Sequence, residues 1–172
     1  MSQLKEGGGW HSSRAGVCEG TNYIIPLERE PALTSASAEV VETFLEAWIA
    51  GDVDAAVACF AVDGVYALHL SADLLEHAGE AIGRESIAEA ISSFRLSFDH
   101  LQWRPLNLRV NGNIVRTQVA FKYRHRPSGE VLSGRLRFVF QVRDRQIVRA
   151  DEYHDRAKVE AFIRLFARPP SA

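Results

Sequence analysis

Two stretches of strict two-residue alternation constrain this chain more than anything else in it. Between Ile114 and His125, Val115, Thr117, Val119, Phe121 and Tyr123 alternate with Arg116, Gln118, Lys122 and Arg124. Between Val131 and Val142, Leu136, Phe138, Phe140 and Val142 alternate with Arg135, Arg137 and Gln141. Successive side chains of a strand point to opposite faces, so each stretch predicts a strand with one apolar and one cationic face. Asn111-Gly112 before the first stretch is a strong hairpin signal, and Pro127-Ser128-Gly129 turns the chain between the two. Phe98–Val110, where Pro105 allows a bulge, and Gln146–His154, after a turn at 143–145, bring the count to four antiparallel strands.

Helical periods surround this block. Ser37 is the expected cap of a first helix carrying Val40, Val41, Phe44, Leu45, Trp48 and Ile49, which Gly51 stops. Asp52 caps a second helix with Val53, Ala56, Val57 and Phe60 on one stripe. Residues 61–64 read as a turn, Val65–Leu70 as a strand, and 71–83 as irregular. A third helix is predicted over 84–96 with Ile87, Ile91 and Phe94 inward. Asp155 caps a short last helix with Val159, Phe162 and Ile163 in register. Helices followed by an antiparallel meander define an α+β domain, with helices on one face of a curved sheet, over residues 37–168. Residues 1–36, with Gly7-Gly8-Gly9, Pro26, Pro31 and no sustained period, read as an arm or tail. Within it, Thr21–Leu27 is suited to lie extended against the domain or a partner subunit.

Composition narrows the function classes. The chain has 172 residues, 47% of them hydrophobic, and a net charge of −2. No run approaches the roughly 18 apolar residues of a membrane span. The first thirty residues lack an apolar signal core, so a cytoplasmic protein is expected. Cys18 and Cys59 make neither a disulfide framework nor a metal spacing, and Cys59 reads as a small buried hydrophobe. His69 and His77 lack a nearby third ligand, so no metal and no cofactor is expected. From Arg104 to Arg149 there are eleven Arg and Lys against two acids, Glu130 and Asp144. The alternation places this charge on the outer sheet face, solvated or facing a subunit. Base-stacking aromatics are not interleaved there, which argues against nucleic acid.

The chemistry-bearing stretch is Gln146-Ile147-Val148-Arg149-Ala150-Asp151-Glu152-Tyr153-His154-Asp155. Parity puts Ala150, Glu152 and His154 on the inner face and Asp151 and Tyr153 on the outer one. A carboxylate facing Phe44, Trp48, Phe121 and Phe138 sits in a dry place and can serve as a general acid or base. His100 shares a face with Leu106, Leu108 and Val110 unless Pro105 bulges the strand. The residues alone leave plainer roles open. Glu152 can pair with an arginine at a rim, and His100 can be a satisfied structural histidine. His154 can bond a helix terminus, and Tyr66 can anchor its hydroxyl on backbone.

Several segments carry a family resemblance. They are Ala50-Gly51-Asp52-Val53-Asp54 between helices and Cys59-Phe60-Ala61-Val62-Asp63-Gly64-Val65-Tyr66 entering a strand. Gly83-Arg84-Glu85-Ser86-Ile87 opens a helix, and Gln146-Ile147-Val148 leads to Glu152-Tyr153-His154-Asp155. In this order they resemble the nuclear-transport-factor-2-like superfamily over about residues 38–167. Within it, the nearest likeness is to the SnoaL-like group of polyketide cyclases and ketosteroid-isomerase relatives. The resemblance implies a conical barrel, with a curved antiparallel sheet wrapped around N-terminal helices. It also implies a deep apolar pocket for a small hydrophobic molecule and a homodimer through the outer sheet face.

The catalytic sets of such relatives transfer unevenly. The tyrosine, base and protonated aspartate of ketosteroid isomerases fall on Phe44, Leu68 and Phe138, so that mechanism is rejected. For epoxide hydrolases, Glu152 and Tyr66 match. Leu68 replaces the asparagine, however, and the Arg–Asp pair falls near Val119 and Phe121, so this is a weak alternative. The SnoaL-like reading makes Glu152, His100 and Tyr66 catalytic, with Phe44, Trp48, Leu68, Val119, Phe121, Phe138 and His154 around the substrate. The expectation is proton transfer of isomerase, cyclase or lyase type on a hydrophobic carbonyl or polyketide-like compound. The alternative is a non-catalytic ligand-binding or dimerisation module.

Overall fold

A computed structural model describes residues 35–166 apart from 72–74, 76 and 77. The expected arm lies outside the described residues except for its last two, and His77 lies outside them as well. The elements are α1 (Ala36–Ala50), α2 (Val53–Ala58), β1 (Phe60–Leu68), β2 (Gly79–Ile82) and α3 (Gly83–Ser97), followed by β3 (Phe98–Asn111), β4 (Ile114–His125), β5 (Val131–Arg143), β6 (Gln146–Tyr153) and α4 (Arg156–Phe166).

Local chemistry explains the helix ends. Ser35, not Ser37, caps α1: its backbone is extended and its Oγ accepts from the Ala38 N–H at 3.3 Å. Ser37 already lies inside the first turn. Gly51 closes α1 at φ 78°, a left-handed conformation that favours glycine. Asp52 then caps α2 by accepting from the Ala55 N–H at 2.9 Å. Arg84, at the start of α3, donates from Nε and Nη2 to the Phe60 carbonyl at 2.9 and 2.6 Å, which ties α3 to the beginning of β1.

The strands form one curved, unclosed sheet in the order β2-β1-β6-β5-β4-β3. The meander from β3 to β6 is antiparallel, as its alternation predicts. β1 joins it alongside β6 in parallel, and β2 folds back on β1. Residues 61–64, expected as a turn, are a bulge inside β1. Phe60 pairs with Ile147 and Val65 with Arg149, so the extra residues loop out of register. Gly64 sits in that bulge, where a Cβ would meet the carbonyl oxygens of Ala61 and Ile147 at 3.0 and 3.1 Å. β2 lies in the stretch expected to be irregular. At four largely exposed residues it shows no alternation to read.

β3 carries two register shifts, at His100/Gln102 and at Pro105/Asn107. The second is the bulge that Pro105 allows. The first lets both His100, opposite Tyr123, and Trp103, opposite Phe121, turn toward the core although they stand three positions apart, which regular alternation would put on opposite faces. On β4, Val115, Thr117, Val119, Phe121 and Tyr123 are all buried, and Arg116, Lys122 and Arg124 are exposed. The helices pack on the apolar face. Phe44 of α1 is fully buried among Trp48, Phe60, Phe138 and Phe140, with ring centroids 5.5 to 6.2 Å away. Cys59 is buried too, its thiol directed at the Ala55 carbonyl.

The outer face carries its own ionic cluster. Asp151 points away from Glu152 yet is still buried. Arg149 Nε donates to both of its oxygens at 3.0 Å, and His69 Nε2 lies 2.8 Å from Oδ1. Arg149 also reaches Glu80 at 2.7 Å. His69 stacks on Tyr153 with centroids 4.3 Å apart. Burial pushes the Asp151 carboxyl up, but Arg149 and His69 outweigh it and hold the group below its ordinary value. A depressed folded pKa adds stability that is fully present above the unfolded value and lost as pH falls through the folded one. Asp151→Asn should therefore lower the urea midpoint at pH 7 and fall closer to the wild type below pH 3.8, the ordinary value of the group. A deficit that stays constant across that range in urea melts contradicts the assignment.

Candidate active site

Glu152 sits in the middle of the sheet, beside Phe138 of β5 and Leu68 of β1. It is 5% exposed. Both carboxylate oxygens are held. The Tyr66 hydroxyl donates to Oε2 in a short hydrogen bond, and His154 Nε2 lies 2.6 Å from Oε1. Among the described residues no lysine or arginine pairs with this carboxylate. Such an arrangement keeps a buried acid fixed in direction without neutralising it by a permanent cation. Tyr66 is pushed well up by burial and then by the Glu152 charge, so its phenol stays protonated and donating. Tyr123 is pushed up by the same two causes, and its hydroxyl accepts from Trp103 Nε1 at 2.8 Å.

A cavity of about 90 Å³ opens beside Glu152. Of the expected residues, Trp48, Tyr66, Leu68, Glu152 and His154 line it. The opposite wall comes from Ile91 and Phe94 of α3 and from Val159, Phe162 and Ile163 of α4. Apart from Glu152, His154 and the Tyr66 and Tyr123 hydroxyls, the wall is almost wholly apolar. Phe44, Val119 and Phe138 lie in the packed core and do not reach the cavity. Phe121 lines a neighbouring depression shared with Leu132, His154 and Lys158.

The expected trio is only partly assembled. Tyr66 and Glu152 touch, whereas His100 forms no hydrogen bond with the carboxylate. The His100 ring lies against Trp48, with centroids 6.0 Å apart, and its Nδ1 faces Arg95 Nη1 at 3.4 Å. Burial first, and then the Arg95 charge, push His100 down to about 4, with Glu152 opposing in part. It is a neutral imidazole at neutral pH. His154, expected only beside the substrate, occupies the position on the carboxylate instead. Tyr123 stands in the inward alternating set of β4 but, like Trp103 and Arg95, is not among the site residues expected from the sequence. The alternation of β4 marks Tyr123, because it shares the inward parity of Phe121. No sequence signal marks Arg95. His69 goes to Asp151, and the described residues hold no cluster of three or more metal-ligating side chains.

The α+β order, the open curved sheet and the helices over its apolar face define the nuclear-transport-factor-2-like fold. A protein of that kind and of unknown function from Burkholderia pseudomallei is 15% identical, covering 75% of this chain and 98% of its own, with a TM-score of 0.69. The SnoaL-like domain family matches residues 41–150, and the chain belongs to that family. The match ends just short of Glu152 and His154. A candidate polyketide cyclase from Xanthomonas campestris pv. campestris is 22% identical over 76% of this chain and 98% of its own, with a TM-score of 0.66. TerC, co-crystallised with polyporic acid, is 14% identical over 76% of this chain and 99% of its own, with a TM-score of 0.68. Identities this low establish the shared fold alone. No curated relative matches the sequence. No described helix is long and apolar enough to cross a membrane.

Proposed function

We propose that the cavity binds a small apolar carbonyl compound and that Glu152 moves a proton at the carbon beside the carbonyl. The observation that carries this reading is a buried carboxylate with no arginine or lysine partner among the described residues. It is gripped at both oxygens by Tyr66 and His154 and set in the wall of an otherwise apolar cavity. In the forward step the α C–H bond breaks and its proton passes to the carboxylate. The electron pair moves into an enolate. Returning the proton at another carbon gives an isomer. Attack of the enolate carbon on a second carbonyl of the ligand, whose oxygen takes the proton, closes a ring. Loss of a β-hydroxyl, which leaves as water with that proton, is an elimination. Tyr66 and His154 hold the base in place, and the apolar wall excludes water. The volume suits a compact ketone, or one ring of a larger polyketide-like compound.

The test needs no natural substrate. Cyclohexanone in heavy water should exchange its α-protons faster with the folded protein than with the heat-denatured protein or buffer, as followed by proton NMR. Ketone that binds without accelerated exchange supports a ligand-binding module instead. Ketone that neither binds nor exchanges removes the carbonyl reading altogether. Epoxide hydrolysis gains no support from the geometry. The positions the Arg–Asp pair would need, near Val119 and Phe121, hold buried apolar side chains.

A further inference from the structure

The described arginines divide into two groups. Arg124 and Arg126 pair with Asp99, Arg145 with Glu39, Arg149 with Asp151 and Glu80, and Arg156 and Arg164 with Glu160. Arg84 donates to the Phe60 carbonyl, and Arg95 donates to the Trp48 carbonyl at 3.0 Å. Arg104, Arg109, Arg116, Arg135, Arg137 and Arg143 meet neither a carboxylate nor a carbonyl among the described residues. All six are exposed and lie on the outer face of β3–β5. The whole chain carries a net charge of −2, so this concentration does not follow from a basic composition.

Three of the six surround a depression of about 460 Å³ on that face. Arg109 of β3 stands directly opposite Arg116 of β4, and Arg137 of β5 stands opposite Gln118, two positions along. Like charges directly opposite one another repel, and diagonal neighbours about 7–8 Å apart are within reach of long side chains. Asn107, Gln118 and Tyr153 add polar groups to the lining, and no acid belongs to it. The floor is held in place. The Thr117 hydroxyl bonds the Asn107 carbonyl, and Tyr153 lies between the His69 ring stacked on it and the Arg137 guanidinium 5.9 Å from its centroid.

Three uncompensated guanidinium groups at one depression call for an anion with several oxygens. A carboxylate has two oxygens and fills a single fork. A phosphoryl group brings about two negative charges and three acceptor oxygens, enough to bridge two forks, and a second phosphoryl group joined to it reaches the third. A second copy of the chain fits less well. An isologous contact brings the same patch together from both copies, adding positive charge to positive charge. The acids of this face, Asp99 and Asp151, are already held by arginines. We propose that the outer-face depression between Arg109, Arg116 and Arg137 binds the diphosphate group of a small molecule. The sheet separates it from the cavity beside Glu152, so this site is independent of the ketone reading.

Isothermal titration with pyrophosphate tests the site, with sulfate at matched ionic strength as the control for screening. Pyrophosphate should bind once per chain and about tenfold or more tighter than sulfate. Its addition should move the Nε–H resonances of Arg109, Arg116 and Arg137. Arg116→Gln should weaken it by about ten- to a hundredfold, the effect of losing a hydrogen bond to a charged group. Arg143 lies six residues beyond Arg137 on β5, about 20 Å away and past the Debye length of about 8 Å. Arg143→Gln should therefore leave the affinity unchanged. Equal affinity for pyrophosphate and sulfate, or equal losses in the two variants, means a diffuse field of charge and overturns the site. So does a dimer in sedimentation that fails to bind pyrophosphate and that Arg116→Gln converts to monomer, because the face is then a subunit interface. Protein that ignores pyrophosphate but is retained at physiological salt by phosphatidylserine vesicles or mixed-sequence DNA overturns it too, in favour of a membrane or nucleic-acid surface.

Discussion

Glu152→Gln should leave a folded protein whose ketone α-exchange has dropped by about a hundred- to ten-thousandfold, the range a general base contributes. The glutamine amide keeps the shape of the side chain and both of its contacts. Its oxygen accepts from Tyr66, and its nitrogen donates to His154 once the imidazole proton moves to Nδ1. What it cannot do is take a proton from carbon. The contrast with Glu152→Ala makes the test sharp. Removing the carboxylate strands the buried Tyr66 hydroxyl and His154 Nε2 at once. Two buried groups left without partners should cost about 2–4 kcal/mol in urea unfolding. Gln inactive but as stable as wild type, with Ala inactive and unstable, is the expected pair of results. A Gln variant that still exchanges at the wild-type rate means that another group moves the proton.

Phe44→Ala should cost about 3–5 kcal/mol, the range for truncating a buried phenylalanine. Phe44 is fully buried where α1 crosses the sheet, and it meets rings from β1 and β5 as well as from its own helix. Edge-on contacts with Phe60, Phe138 and Phe140 add to the area term. Helix and strands are held separately by their backbones, so the site has little freedom to collapse around the void. Phe44 stands one helical turn before Trp48, so the loss should also loosen the cavity wall. Urea denaturation monitored by circular dichroism reads the stability. A cost under about 1 kcal/mol means that the core can rearrange around the gap, against the tight packing seen here.

Where residues obey a strong local rule, the sequence already reveals their place. The inward set of β4 follows from alternation, and so does the separation of Glu152 from Asp151 on β6. Asp52 and Gly51 announce themselves through cap chemistry. The failures have physical causes as well. Asp63-Gly64 carries a turn signal, and the chain does deviate there, but pairing with β6 resumes and turns the deviation into a bulge. β2 is too short to show a period. Sharing a strand face places His154 near Glu152 but says nothing of whether the imidazole reaches the carboxylate, which depends on rotamers. The cavity wall from α3 and α4 depends on how helices far apart in sequence meet. Arg95 reads as an ordinary cation in the last turn of α3, and only the folded chain brings it to His100 and to the Trp48 carbonyl.

The parallel seam between β1 and β6 has a consequence for how the molecule comes into being. Among the described residues, β6 is the only strand that joins the β1–β2 pair to the β3–β5 meander within the sheet. The meander is built from local hairpins and can zip in sequence, whereas β1 must wait for a partner made some eighty residues later, counting from Leu68 to Gln146. Non-local pairing of this kind slows folding. During synthesis the edge of β1 stays open until residues 146–153 have emerged, and Tyr66 meets Glu152 only at that closing step. Assembly of the candidate active site is therefore a late event in the life of the chain, and the acquisition of ligand binding should report the final step of folding.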